Sequence, residues 1–338
     1  MPIQYINNLR AMACFLVILT HSAMPATDLS FGLYMVFFSL ISSPSSELFV
    51  MISSSLLAPT KLDMVSFYKK RFSKLLGPFI FWSVIILIFN FYQNLFSFTE
   101  MLNRIILIPF VPATGVYWFV YTICGLYLLI PIISPWLDKS TKKELMIVLC
   151  IWGLTLFLPY LNLIFNKEIY DINGNYYFIL VYFGGFIGYL FLGVYLRKYP
   201  LIFSNKFKPL VFITLLLLVG IAPVLYSYII NREILEITRD NLSITSVSFV
   251  IAIFSFFQNF KMPSFIEYFF NIVAKYSFGI YLIHILVIRD FVWLFLENNR
   301  MSHPLIETPV IAITSLFICL IIVKIISTFP KSKYIIGA

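Results

Sequence analysis

The chain has 338 residues, 61% of them hydrophobic and 12% charged, where a soluble domain is about 25% charged. With 37 Phe, 21 Tyr and a mean hydropathy of +0.94, it has the composition of a membrane protein. At about 20 apolar residues per bilayer crossing, roughly ten helices fit, which excludes a soluble enzyme, a nucleic-acid reader and a disordered scaffold.

The apolar segments, in chain order, are about 9–25, 31–58, 75–93, 114–134, 144–163, 177–196, 208–229, 242–260, 272–296 and 306–328. The expected fold is therefore all-α and polytopic, one membrane domain over residues 1–338. Pro44 interrupts the second segment and predicts a kink or a re-entrant stretch. The third segment could be extended toward Ile105–Phe110, but Pro109 and Pro112 make that run a loop. No repeat of fixed period appears, against a transporter built from inverted repeats. Cys14, Cys124, Cys150 and Cys319 lie in apolar runs without metal-ligand spacing; they are expected to be core thiols, with no metal site.

Charge gives an orientation. With the N-terminus inside, Arg104, Lys167, Arg232, Arg239 and Arg300 fall outside, Arg289 falls in or near a span, and all the other Lys and Arg fall on the cytoplasmic side. This bias, alternating at every loop, predicts both termini inside and attributes the chain's 24 Lys and Arg, against 15 Asp and Glu, to topology rather than a nucleic-acid partner. The run from Ala11 to Thr20, followed by Ser22, Ala23 and Ala26, also resembles a signal peptide, but the single Arg10 abutting it argues against cleavage.

Ionisable residues inside a bilayer cost roughly 2.5–3.5 kcal/mol each, and their retention points to a role. Here they are Arg10, His21, Glu47, His284, Arg289 and Asp290. Arg10 and His21 are eleven residues apart, about 16 Å of rise and roughly 20° past three turns, so they share one helix face. Glu47 and His284 each sit about 18 Å from the inner end of their spans, at a depth similar to His21. The alternative is that the histidines are buried side chains satisfied by Ser or Tyr hydroxyls. The segment Phe67 to Lys74, with Lys69, Lys70, Arg71 and Lys74, reads either as a positive-inside signal or as a clamp for a polyanionic ligand.

These residues resemble the membrane-bound acyltransferase family 3, which includes surface-polysaccharide O-acetyltransferases. Tyr5 to Arg10 followed by Thr20-His21 resembles its opening Arg-x10-His signature, and Glu47-Leu-Phe-Val-Met-Ile-Ser53 its acidic-Leu-Phe segment. Phe67-Tyr-Lys-Lys-Arg71 to Lys74 resembles its basic cytoplasmic loop, and Tyr117-Trp-Phe119 with Leu126-Tyr127 and Pro131 its Trp-Phe helix. Phe183-Gly-Gly185 to Gly193 resembles its glycine-rich span, Ser277 to His284 its Ser-x-Gly-Ile-Tyr-x-x-His block, and Pro330 to Gly337 its usual end. Ser54 stands where the family usually has Gly, and Lys74 where many members have Arg.

The resemblance implies a multi-pass protein of the bacterial cytoplasmic membrane that transfers an acyl group, most often acetyl from acetyl-CoA, to a hydroxyl of a glycan or its lipid-linked precursor. Acyl-CoA would be a substrate rather than a resident cofactor; the bilayer, acyl-CoA and a glycan are the implied partners, and a homo-oligomer stays open. Lys69, Lys70, Arg71 and Lys74 would meet the donor phosphates, with Arg10 at the foot of the first helix. His21 would act as base or transient acyl carrier, with Glu47 and His284 orienting it. Ser53 or Tyr281 would donate to the oxyanion. Tyr117, Trp118 and Tyr121 would stack on a sugar or form an interfacial aromatic belt. An exporter or flippase for polysaccharide, and a structural membrane subunit, are the rival readings.

Overall fold

The computed structural model describes residues 4–23, 32–42, 44–165, 180–205, 207–231, 234–296, 301 and 303–337. The expectations attached to Ala26, Lys167, Lys206, Arg232, Arg300 and the start of the sixth segment fall outside these residues. Among the described residues there is no strand. The helices are α1 (Gln4–Ser22), α2 (Gly32–Ser42), α3 (Ser45–Leu57), α4 (Met64–Tyr92), α5 (Phe98–Ile106), α6 (Trp118–Lys139), α7 (Lys142–Thr155) and α8 (Leu158–Phe165). Then follow α9 (Ile187–Lys198), α10 (Phe207–Asn231), α11 (Glu236–Arg239), α12 (Ile244–Asn259), α13 (Ser264–Val287), α14 (Trp293–Leu296), α15 (Pro304–Ile326) and α16 (Lys333–Ile336). A π-turn, Ile288–Val292, joins α13 to α14.

Seven stretches among the described residues are long and apolar enough to cross a membrane: Val36–Leu57, Met64–Tyr92, Gly115–Lys139, Lys142–Tyr160, Phe207–Ile230, Ser264–Leu296 and Pro304–Ile326. Three expected spans are missing from that set for different reasons. The first, α1, contains Gln4, Asn7, Asn8 and Arg10 and lies inside the bundle against α3, α13 and α15, so its surroundings are protein. The described helical parts of the sixth and eighth, α9 and α12, have 12 and 16 residues.

Two boundaries differ from the sequence expectation. The basic segment is not a loop: Asp63 caps α4 by accepting from the Ser66 N–H at 2.9 Å, which holds its carboxyl below the usual range, and Phe67 to Lys74 form the first turns. Likewise, a short helix, α5, capped by Ser97, precedes the expected turn at 107–112. Pro44 does break the second segment, separating α2 from α3.

Exposed Ile80 and Phe81 on α4, Leu215 and Leu218 on α10, and Phe317 and Ile321 on α15 make an apolar outer surface, which a bilayer solvates. Cys14 and Cys319 are core thiols, as expected; Cys150 instead lies exposed on the outer face of α7. Polar contacts join the helices inside. The Tyr117 hydroxyl donates to the Leu282 carbonyl and the Tyr281 hydroxyl to the Val116 carbonyl, each at 2.6 Å, so α13 and the start of α6 are fixed reciprocally. Arg289 pairs with Asp290 at 2.8 Å and also donates to Asn90, while Gln93 donates to Asp290, bracketing the π-turn to α4. At Gly193, α9 touches α3 so closely that a Cβ would fall 2.2 Å from Ser54 Oγ. The close approach lost at Ser54 is therefore made by the partner helix, while Ser54 Oγ turns back onto the Met51 carbonyl.

Candidate active site

Four helices, α1, α3, α6 and α13, contribute to two adjoining cavities, and α4 closes the first of them. The first, about 260 Å³, is lined by Arg10 from α1, Ser53 from α3, Arg71 and Lys74 from α4, Ile123 and Tyr127 from α6, and Lys275 and Ser277 from α13. Gly337, just past α16, also contributes to its wall. Four lining side chains are cationic and none is a carboxylate. The Arg71 Nε is buried without a hydrogen-bond partner, and its guanidinium lies 5.7 Å from the centre of the Phe67 ring.

Helical geometry explains which basic residues reach this cavity. Arg71 and Lys74, three residues apart, sit about 60° from each other around α4, whereas Lys70 and Lys69 sit about 100° and 200° from Arg71. Lys69 and Lys70 are accordingly exposed and do not line it. Lys275, which the sequence motifs did not mark as a site residue, does.

The second cavity, about 170 Å³, is lined by Val17, Thr20 and His21 of α1, Ser45 and Ser46 of α3, Val116, Trp118 and Asn241. The imidazole of His21 is the one lining group of a kind that titrates near neutral pH. His284 lies against His21, ring centres 5.2 Å apart. Its Nδ1 bonds to the Tyr281 carbonyl, an acceptor only, so Nδ1 carries the proton and Nε2 presents a lone pair. That Nε2 is buried without a partner.

Phe49, Phe119 and Tyr281 line both cavities. The order is the same on every helix. Along α1, Arg10 faces the cationic cavity and His21 the second; along α3, Ser53, Phe49 and Ser45 mark the two cavities and the boundary between them. Along α6 the order is Ile123, Phe119 and Trp118; along α13, Ser277 lines the first cavity and Tyr281 both, and His284, three residues on, lies against His21. The cavities thus follow one another along α1, with Phe49, Phe119 and Tyr281 as their common wall, and the helix face read from the Arg10 to His21 spacing contributes to both.

Other site residues are placed differently from their expected roles. Glu47 is fully buried in the first turn of α3, on the side of Tyr189 and Asp240, near the amides of Ser46 and Glu47 but without a well-formed hydrogen bond, and it lines neither cavity. Tyr117 lines neither cavity, and Tyr121 spends its hydroxyl on the Ile108 carbonyl. Of the three aromatics, Trp118 reaches the His21 cavity. Ser53 faces the cationic cavity instead, and the Tyr281 hydroxyl proton is committed to Val116. Sequence reasoning missed Asn241, which lies in an irregular turn after α11 and has no motif around it.

The sequence profile of a family described as an acyltransferase domain, acyltransferase family 3, matches residues 3–324. The chain belongs to that family. It is therefore an acyltransferase with membrane-spanning helices, as its motifs implied. No curated protein and no solved structure gives a significant match. The match takes in both cavities except for Gly337.

Proposed function

We propose that the protein is an O-acyltransferase of the bacterial cytoplasmic membrane, moving an acetyl group from acetyl-CoA to a hydroxyl of a surface glycan or its lipid-linked precursor. The observation that carries this reading is the pair of cavities: one with four cations and no carboxylate, adjoining along α1 one whose single ionisable lining residue besides Tyr281 is His21. Guanidinium and ammonium groups suit the phosphates of a nucleotide donor, and Arg adds bidentate geometry. Arg10, Arg71, Lys74 and Lys275 hold the phosphates at the cytoplasmic end, and the pantetheine arm extends past Phe49 toward His21.

In the second cavity, the acceptor stacks on Trp118 and hydrogen-bonds Asn241. His21 takes the hydroxyl proton, the alkoxide oxygen attacks the thioester carbonyl, and the C–S bond breaks as the new C–O bond forms. The thiolate leaves with the proton returned by imidazolium. His284 Nε2, lying against His21, accepts an N–H from it and orients the base. The amino end of α3, where Pro44 supplies no side-chain cap, presents Ser45 and Ser46 to the cavity and lends partial positive charge to the oxyanion.

The test is mass spectrometry of the surface glycan from host cells with the parent protein, with His21→Gln and without the gene. An increment of about 42 Da per acetyl group, present only with the parent, is expected. A glycan of unchanged mass but reduced export in the deletion would favour an exporter and overturn the proposal.

A further inference from the structure

The two cavities are adjoining but partitioned, and the partition is aromatic. The Phe49 and Phe119 ring centres are 6.1 Å apart, and Phe119 meets Tyr281 edge-on at 6.1 Å. Tyr281 is held: it is buried, its hydroxyl is bonded to Val116, and its ring packs on Tyr117 and His284. Phe49 and Phe119 are only partly buried and have no polar anchor, so each turns about its side-chain torsions without breaking a hydrogen bond.

The chemistry on either side gives this partition a task. Four cations keep the first cavity hydrated, whereas the second contains a base able to activate any hydroxyl, including that of water. Were water continuous between them, His21 would direct it at the thioester. Hydrolysis adds water across the acyl carbon, breaks the same C–S bond, and yields a carboxylic acid and the free thiol, wasting the donor. An apolar barrier displaced only by the donor's own arm prevents this, because water gains no hydrogen bonds among phenyl rings.

We propose that Phe49 and Phe119, closing against Tyr281, are specificity-determining residues that reserve the thioester for the acceptor and exclude water. This rests on the acyl-transfer reading above. It requires neither ring to touch the reacting atoms; they act on which nucleophile reaches them.

The test uses the full-length protein in lipid nanodiscs with acetyl-CoA as the probe and no acceptor, following release of free thiol. Phe119→Ala and Phe49→Ala are expected to raise thiol release by about tenfold or more over the parent, and His21→Gln in the Phe119→Ala background to return it to the parent's level. Phe119→Leu, which keeps an apolar side chain of similar bulk and guards against misfolding of the alanine variants, should give a smaller rise. Release within about twofold of the parent in both alanine variants would overturn the proposal.

A second measurement does not depend on acyl transfer. With Cys124 and Cys150 replaced by Ser, a Ser45→Cys thiol in sealed vesicles is treated with a charged aqueous maleimide from the side bearing Lys70. Labelling about tenfold faster with Phe119→Ala than with Phe119 intact is expected, and equal rates would overturn the partition. If labelling changes as expected but acetyl-CoA yields no thiol from any variant, the partition stands and the acyl-donor reading fails.

Discussion

The two cavities have opposite chemistries although four helices are common to both, α4 adding Arg71 and Lys74 to the first alone. One collects cations that a bilayer would not tolerate singly, with no carboxylate to neutralise them; the other is lined by one histidine, hydroxyls, one amide and an indole, with a second histidine buried behind the first. An uncompensated cationic cluster spends folding stability to bind an anion, whereas a pocket without fixed charge leaves an imidazole neutral and able to accept a proton. On the proposed function, this difference separates donor binding from chemistry along one helix, by the 11 residues from Arg10 to His21, about 16 Å. Substitutions in the two cavities should therefore change different kinetic constants.

The largest effect is expected at His21. In His21→Gln the amide keeps a donor and an acceptor but cannot take a proton, so kcat should fall about 10²- to 10⁴-fold with little change in the KM for donor. His284→Gln should cost less, because the amide oxygen can replace the Nε2 lone pair. A transfer rate in His21→Gln within tenfold of the parent would dissolve the contrast between the cavities. Next, Arg10→Gln or Arg71→Gln should raise the donor KM roughly ten- to a hundredfold, as expected for a charge-assisted hydrogen bond of about 1.5–3 kcal/mol, and leave kcat near the parent value. A fall in kcat with unchanged KM would move these residues to the chemical step.

Smaller effects sharpen the boundary of each site. Trp118→Ala should raise the acceptor KM about three- to tenfold through loss of one aromatic contact, while Tyr121→Phe, which removes only a bond to Ile108, should leave it unchanged. The smallest effect is expected from Lys69→Gln with Lys70→Gln. Both side chains are exposed on the far face of α4, and a donor KM within about twofold of the parent would separate them from Arg71 and Lys74, whatever their part in topology.

Much of this arrangement was legible in the sequence because it follows from helical periodicity. The Arg10 to His21 spacing identified one face of α1, the Pro44 break appeared where proline forbids a continuous helix, and the motif residues fell in the family that the profile match establishes. What periodicity cannot supply is which face meets which partner. Glu47 and His21 were read at similar depth, but depth is one coordinate of three, and α3 turns Glu47 toward α9. Lys69 and Lys70 looked equivalent to Arg71 because adjacent basic residues are indistinguishable until the segment is known to be helical. Lys275 and Asn241 carry no local signature; they enter through tertiary packing of α13 and of the turn before α12. Seven of the ten expected spans are long and apolar enough among the described residues; α1, by contrast, opens with Gln4, Asn7, Asn8 and Arg10 and packs on α3, α13 and α15, an environment that composition alone does not reveal.

The most direct test of the separation is equilibrium binding of labelled coenzyme A, which binds without turnover, to the purified parent protein, Arg71→Gln and His21→Gln at low and high salt. The account predicts that His21→Gln binds within about threefold of the parent, while Arg71→Gln binds roughly tenfold or more weakly and loses less affinity as salt is raised. Equal affinity in the parent and Arg71→Gln, or an equal loss in both variants, would contradict it.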